Sequence, residues 1–302
     1  MPSSPLSIVA LYGPSASGKT AVAEAIADRV HGEVVSADSM QVYAGLPILT
    51  AQPQRPTRLV AIWPLSHEAS VAEYAQLAHA AIDQVLGARR TPIVAGGTGL
   101  YLRAALTDLH LPPPPALGAR RRWEDYYDSR GPQAAHAQLE ELDPEAAAAV
   151  HENDRRRVVR ALELTELGES LVPARGRLWT EETRHPTLVF GLEVRPDVLA
   201  ERIERRARAM FDAGAEDEVR AALAAGPISA TARYAYGLDE IASLPREQAL
   251  ESMIRRTRRY AAYQRKWMRR IPDLVAVEAD RPVGEIAANI IAVMRDRGIL
   301  AA

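Results

Sequence analysis

The chain has 302 residues, 47% of them apolar and 25% charged, with a net charge of −2 and no cysteine. This length suits one large domain or two unequal ones, and the absence of cysteine excludes disulfides and thiolate metal sites. No apolar run approaches the ~18 residues of a membrane span, so the chain is expected to be cytoplasmic. The net charge gives no sign of nucleic acid, but its distribution does. Lysine occurs only at Lys19 and Lys266, and arginines cluster at 120–122, 155–160, 202–208 and 255–270. The 202–208 cluster, interleaved with glutamates, is expected to be a solvated helix face. The clusters at 155–160 and 255–270 have fewer acidic neighbours and read either as phosphate-tracking surfaces or as plain exposed faces.

The first apolar run, Leu6–Tyr12, has no basic leader or cleavage site and reads as a strand, not a signal peptide. It leads directly into Gly13-Pro14-Ser15-Ala16-Ser17-Gly18-Lys19-Thr20, the spacing of a P-loop between a strand and a helix. Its glycines let backbone N–H groups curl around phosphate oxygens, and the helix N-terminus adds partial positive charge. Lys19 supplies a point charge, and the Thr20 hydroxyl is placed to ligate Mg²⁺. Further strands are expected at 33–38, 59–63 and 92–95, with helices at about 19–30 and 71–88. This alternation predicts a parallel sheet covered by helices on both faces.

Asp38 falls at the C-terminal end of the second strand, where catalytic groups of open parallel sheets gather. It reads as a group that orients or deprotonates a nucleophile, or as a helix cap or turn aspartate. The run at 92–95 ends in Gly96-Gly97-Thr98-Gly99, where an ordinary P-loop NTPase would offer an aspartate to organise Mg²⁺ and water. Glycines there let the backbone approach a ligand closely, with Thr98 starting a helix pointed at it, or simply make a tight turn with a threonine cap. The missing aspartate argues against a motor or switch. It leaves small-molecule kinases and other phosphate-ester transferases.

The proline run 111–115 is expected to be a stiff extended break. From 112 to 185 the pattern is helical, including a helix after Asn153-Asp154 that carries Arg156, Arg157 and Arg160 and buries Val158, Val159 and Leu162. Strands resume at 187–194 and 274–277. The expected organisation is therefore an α/β core of residues 1–111 and 186–302, interrupted by a helical insertion at 112–185. The seven histidines show no ligand spacing.

In series, Gly13–Thr20, Ser36–Tyr43, Gly96–Leu102, Asp143–Ala147, His151–Glu163, Ser229–Arg233 and Arg256–Ala261 resemble the tRNA dimethylallyltransferase (tRNA isopentenyltransferase) family from Gly13 to about Trp267. The resemblance implies a P-loop-type core with a helical insertion. The implied activity moves the dimethylallyl group of dimethylallyl diphosphate to N6 of the adenosine following the anticodon, with Mg²⁺ and the tRNA anticodon stem-loop as partners. It implies that Gly13, Ser15, Ala16, Ser17, Gly18, Lys19, Thr20 and Arg233 hold the diphosphate, and that Asp38 is the general base. It further implies that Ser39, Met40 and Gln41 lie at the acceptor base, and that Thr98, Arg120, Arg156, Arg157 and Arg160 contact tRNA. A single active-site set makes a monomer sufficient.

Three segments depart from the family pattern. Its Gly-Thr-Ala-Lys-Pro stands here as Leu49-Thr50-Ala51-Gln52-Pro53, and its Ala-Lys-Arg-Gln as Ala261-Ala262-Tyr263-Gln264. After Arg233, its leucine/isoleucine-Gly-Tyr becomes Tyr236-Gly237-Leu238. Prenylation of free adenine nucleotides and a small-molecule kinase activity are the competing expectations. A non-catalytic RNA-binding protein would show an eroded P-loop, and Gly18, Lys19 and Thr20 are all present.

Overall fold

The computed structural model describes residues 7–109, 118–171 and 182–299. The proline run at 111–115 lies outside them. The described chain divides into two compact units, Met1–Asp108 with Glu181–Ala302, and Leu109–Thr180. Among the described residues no helix is long and apolar enough to cross a membrane.

The larger unit is built on five parallel strands: β1 (Ile8–Tyr12), β2 (Gly32–Ser36), β3 (Thr91–Gly96), β4 (Thr187–Glu193) and β5 (Val275–Glu278). Their spatial order is β2-β3-β1-β4-β5. Every residue of β1 is buried, as a central parallel strand covered on both faces requires. Successive side chains alternate between the faces. Val9 and Leu11 enter a core with Val22 and Ile26 of α1 (Lys19–Val30), Ile203 of α8 (Pro196–Asp212), and Ile286 and Ile290 of α12 (Val283–Asp296). The opposite face is covered by α2 (Val71–Gly87) and α3 (Gly99–Leu106). α2 starts at Ser70, whose hydroxyl accepts from the Glu73 amide at 3.1 Å.

One predicted strand is corrected. Residues 59–63 do not join the sheet. The chain turns through positive φ at Leu59 and Ala61 and meets its neighbours through isolated bridges, Val35–Arg58 and Tyr43–Trp63, and a few backbone hydrogen bonds to Gln41 and Val42 rather than a ladder. The run is apolar because Trp63 is buried, in a tilted contact with Tyr43, rather than because it forms a ladder.

The smaller unit holds α4 (Ala119–Arg130), α5 (Pro132–Leu142), α6 (Pro144–Ala149) and α7 (Arg155–Thr165). Leu139, Ala146, Val158, Val159 and Leu162 close its core. Asp143 caps α6 by accepting from the Ala146 amide at 3.0 Å, with Pro144 next in the chain, so this motif is a helix start. Asp154 caps α7 through the Arg157 amide. Fully buried Glu163 receives Arg120 at 2.9 Å and Arg160 at 3.0 Å.

The order of the strands makes the connections leaving neighbours β1 and β3 run in opposite directions across the sheet, which opens a crevice at their C-terminal ends. The turn after β3 faces that crevice through glycines, because other parts of the chain fill the space. A methyl on Gly96 would strike the Ala37 carbonyl, one on Gly97 the Gln264 amide, and one on Gly99 the Trp267 ring. Gly96→Ala should therefore lower stability by about 3 kcal/mol. Gly87→Ala, where a methyl meets nothing within 4 Å, should be neutral or raise it by about 0.5–1 kcal/mol. Urea unfolding of the two variants distinguishes a packed turn from a permissive one.

Candidate active site

The Gly13–Thr20 loop links the end of β1 to α1 and is shaped as an anion cradle. Gly18, at φ +92, caps α1 with open space around it, and Ala16 also has positive φ. Gly13 is required because a Cβ would press on the Ser17 hydroxyl and on Leu192. The Ser17 amide closes the turn on Pro14 O at 3.1 Å, and the Ser15 amide donates to Gln264 Oε1 at 2.8 Å. Neither amide is open to a ligand. Those of Ala16, Gly18, Lys19 and Thr20 donate to nothing among the described residues. The first turn of α1 carries no acidic residue, so its positive end is uncompensated. The Ser17 hydroxyl is buried without a partner.

Lys19 donates to Pro14 O at 2.8 Å. Burial pulls its pKa from 10.5 down to about 8, against the opposing pull of the Asp38 carboxylate, and Arg206 lowers it further. Arg206 is the residue that sequence reasoning missed. It lies on the Ile203–Ala207–Met210 side of α8, the buried face, not on the solvated face expected for the 202–208 cluster. It makes no ion pair or hydrogen bond among the described residues. Burial depresses its pKa while Asp38 raises it. Its signal in the sequence was helical register, since 203, 206, 207 and 210 share a side.

Asp38 follows β2 by two residues. Its Oδ1 accepts from the Met40 amide at 2.9 Å, the turn role expected as one alternative. Oδ2 accepts no hydrogen bond among the described residues, so the carboxylate keeps an oxygen for other work. Thr98 holds this turn in place. Its hydroxyl accepts from the Ser39 amide at 3.2 Å and lies 3.2 Å from the Ser39 hydroxyl. The Tyr260 hydroxyl is 3.5 Å away. Burial, then the Asp38 charge, raises the Tyr260 pKa, so this phenol stays protonated at neutral pH. Gln41 points elsewhere, accepting from Ser36 Oγ at 3.0 Å and donating to Ala51 O at 3.1 Å. Gln52 braces the same loop by donating to Tyr43 O at 2.7 Å.

Gln264 joins the two halves of the site. It lies on α11 (Arg246–Met268) and is 2% exposed. It accepts from the Ser15 amide and donates to Gly97 O at 2.7 Å. Arg233 is exposed on a short 3-10 turn and pairs with Asp239 at 3.2 Å, making no hydrogen bond or ion pair with the 13–20 loop among the described residues. In the smaller unit, Arg157 is exposed and unpaired among the described residues, Arg156 is exposed, and Arg120 and Arg160 hold Glu163. No group of three or more His, Asp or Glu able to hold a metal occurs among the described residues.

Four open amides, Lys19, Arg206 and a helix N-terminus suit a polyanion. Without one, stability rises between pH about 8 and 10.5, where the unfolded lysine holds a proton that the folded one has released. With one bound, Lys19 keeps its proton through this window, so the rise disappears and it is the affinity that falls with pH. Pyrophosphate should bind tightest below pH about 8 and weaken up to about tenfold per pH unit above it. Calorimetric titration from about pH 7 to about 9.5 checks this. Lys19→Arg should flatten the profile relative to wild type, and an equal slope in both would remove Lys19 as the source.

The family model described as IPP transferase matches residues 41–271. The chain is 38% identical over 286 residues to the tRNA dimethylallyltransferase of Corynebacterium jeikeium, covering 91% of this chain and 92% of that one. It is 41% identical over 278 residues to the tRNA dimethylallyltransferase of Streptomyces avermitilis, covering 88% of each. The crystal structure of the full-length tRNA isopentenylpyrophosphate transferase of Bacillus halodurans shares 32% identity and a TM-score of 0.69, covering 97% of this chain and 98% of that one. With a family match over most of its length and relatives aligned nearly end to end, the chain belongs to the IPP transferase family.

Proposed function

We propose that this chain transfers the dimethylallyl group of dimethylallyl diphosphate to N6 of the adenosine 3′-adjacent to the anticodon of tRNA, releasing diphosphate. The observation that carries the reading is the pairing of an open amide cradle at Gly13–Thr20 with an aspartate that keeps one carboxylate oxygen free. The cradle suits the leaving group, and the carboxylate suits the nucleophile.

In this reading the allylic C–O bond breaks and its electron pair goes to the diphosphate. The amides of Ala16, Gly18, Lys19 and Thr20 stabilise that charge where it develops, with the cations Lys19 and Arg206. Arg233 joins them once it exchanges Asp239 for the diphosphate. N6 of the adenine attacks the allylic carbon, and Asp38 Oδ2 takes the proton released as the C–N bond forms. Ser39 and Met40 frame the acceptor base, Thr98 holds the turn that carries them, and Gln41 supports that turn from behind through Ser36 and Ala51.

The exposed Thr20 hydroxyl fits a Mg²⁺ ion held otherwise by diphosphate oxygens and water, which needs no carboxylate cluster. Bound there, the ion would neutralise charge on the leaving group. The target adenine must leave its loop stack to reach Asp38. Arg120, Arg156, Arg157 and Arg160 then meet the phosphates of the anticodon stem-loop. Every group invoked lies on one chain, so a monomer suffices, and a tRNA acceptor suits action in the cytoplasm.

Asp38→Asn should keep pyrophosphate and tRNA binding while lowering turnover by ~10²-fold or more. Turnover near wild type in that variant removes Asp38 from the base role. Arg233→Ala should lower turnover by roughly 10²–10³-fold. Arg206→Gln should weaken pyrophosphate binding about tenfold or more, the scale of a lost charge-assisted contact. Single-turnover transfer with parallel binding titrations separates these effects.

A further inference from the structure

The exposed side of α11 carries an aromatic series that neither the cradle nor Asp38 uses. Tyr260, Tyr263 and Trp267 follow at i, i+3 and i+7, and so share one side of the helix. Tyr260 and Tyr263 stack at 6.3 Å between ring centroids with planes 23° apart. Tyr263 meets Trp267 at 6.2 Å, and Tyr236 packs edge-on to Tyr260 at 5.3 Å. The inner end of the series is the Tyr260 hydroxyl beside Thr98, next to the Asp38 turn. The outer end is Tyr263, which is 54% exposed. A large aromatic left this open, over rings that run toward a site, is a face waiting for a planar partner.

The charges around it identify that partner. Three arginines of α11 are engaged, Arg255 with Glu251, Arg256 with Glu240 and Arg258 with Glu204, while Arg265, two residues from Tyr263, falls off the side that Tyr263 occupies. Arg259, Lys266 and Arg270 are exposed and have no ion pair or hydrogen bond among the described residues. Arg259 and Lys266 lie at i−4 and i+3 from Tyr263, on the same side of the helix, and Arg270 follows in the turn just past its end. Open cations flanking an open ring suit a single strand of nucleic acid, whose bases stack while its phosphates meet the cations. An acidic peptide would use the cations and leave the ring idle.

We infer that Tyr263 is a stacking platform for an unpaired nucleotide of the acceptor RNA beside the adenine delivered to Asp38, with Arg259, Lys266 and Arg270 meeting the adjoining phosphates. The inference rests on the tRNA reading above and deepens it. An adenine turned out of the anticodon loop leaves a neighbour that has lost a stacking partner, and Tyr263 supplies a replacement.

The test measures the affinity of the full chain for a synthetic anticodon stem-loop RNA across a salt series. Tyr263→Ala should raise Kd roughly tenfold, with an unchanged salt slope, unchanged pyrophosphate binding and an unchanged unfolding midpoint. Tyr263→Phe should restore the affinity. Tyr263→Arg should bind well at low salt and lose affinity more steeply as salt rises, by about 0.7 in the log–log slope for one added phosphate contact. Lys266→Ala with Arg270→Ala should flatten the slope by a similar amount per residue.

A Kd for Tyr263→Ala within twofold of wild type overturns the stacking role, as does a loss that Tyr263→Phe fails to restore. Either result would leave the prenyl-transfer reading standing if wild type binds the stem-loop. Wild type that binds no stem-loop overturns both.

Discussion

One buried amide holds the candidate site together. Gln264 accepts from the Ser15 amide and donates to the Gly97 carbonyl, fastening the loop after β1 to the turn after β3 from a helix 167 residues further along the chain. Its two contacts use both ends of the amide, so a shorter or charged side chain would leave a backbone group unpaired in a dry interior. Gly97 is a glycine because that amide occupies the space of its Cβ. The same helix sends Trp267 against Gly99 and Tyr260 toward Thr98. Thr98 in turn fixes the Asp38 turn through Ser39. The cradle and the carboxylate thus keep their spacing through α11, although neither belongs to it.

The electrostatics of the crevice follow from how little compensates its positive charge. Lys19 and Arg206 are both pulled toward neutrality by burial, and Asp38 is the carboxylate that opposes this for each. Two partly buried cations with one shared counter-charge favour an anionic ligand. The turn after β3, where nucleotide hydrolases place a further carboxylate, is built of glycines and a threonine bonded to the Asp38 turn. In the proposed reaction, positive charge would face the leaving group while Asp38 stays available to the nucleophile. That division suits transfer of a carbon from a diphosphate better than hydrolysis of one.

Much of this was legible in the chain because it is local. The glycine spacing marked the cradle, and helix 19–30 begins and ends where the pattern placed it. Apolar runs marked all five strands. Asp38 was read with two roles, and its turn role is visible in the Met40 contact. Residues 59–63 misled because an apolar run carries no record of backbone φ, and Leu59 and Ala61 turn the wrong way for a ladder. The 96–99 glycines suggested room for a ligand. The space is taken instead by Ala37, Gln264 and Trp267, partners that no local window contains. Arg206 was hidden among exposed arginines, although its register with Ile203 and Met210 marks it as inward-facing.

The most direct test is transfer of label from dimethylallyl diphosphate, with Mg²⁺, to unmodified tRNA bearing adenosine 3′ to the anticodon, with AMP and ATP as parallel acceptors. The account predicts label in tRNA alone. Label in AMP or ATP would place the acceptor among free nucleotides. Absence of prenyl transfer, with the γ-phosphate of ATP passing to a small metabolite instead, would contradict the account outright.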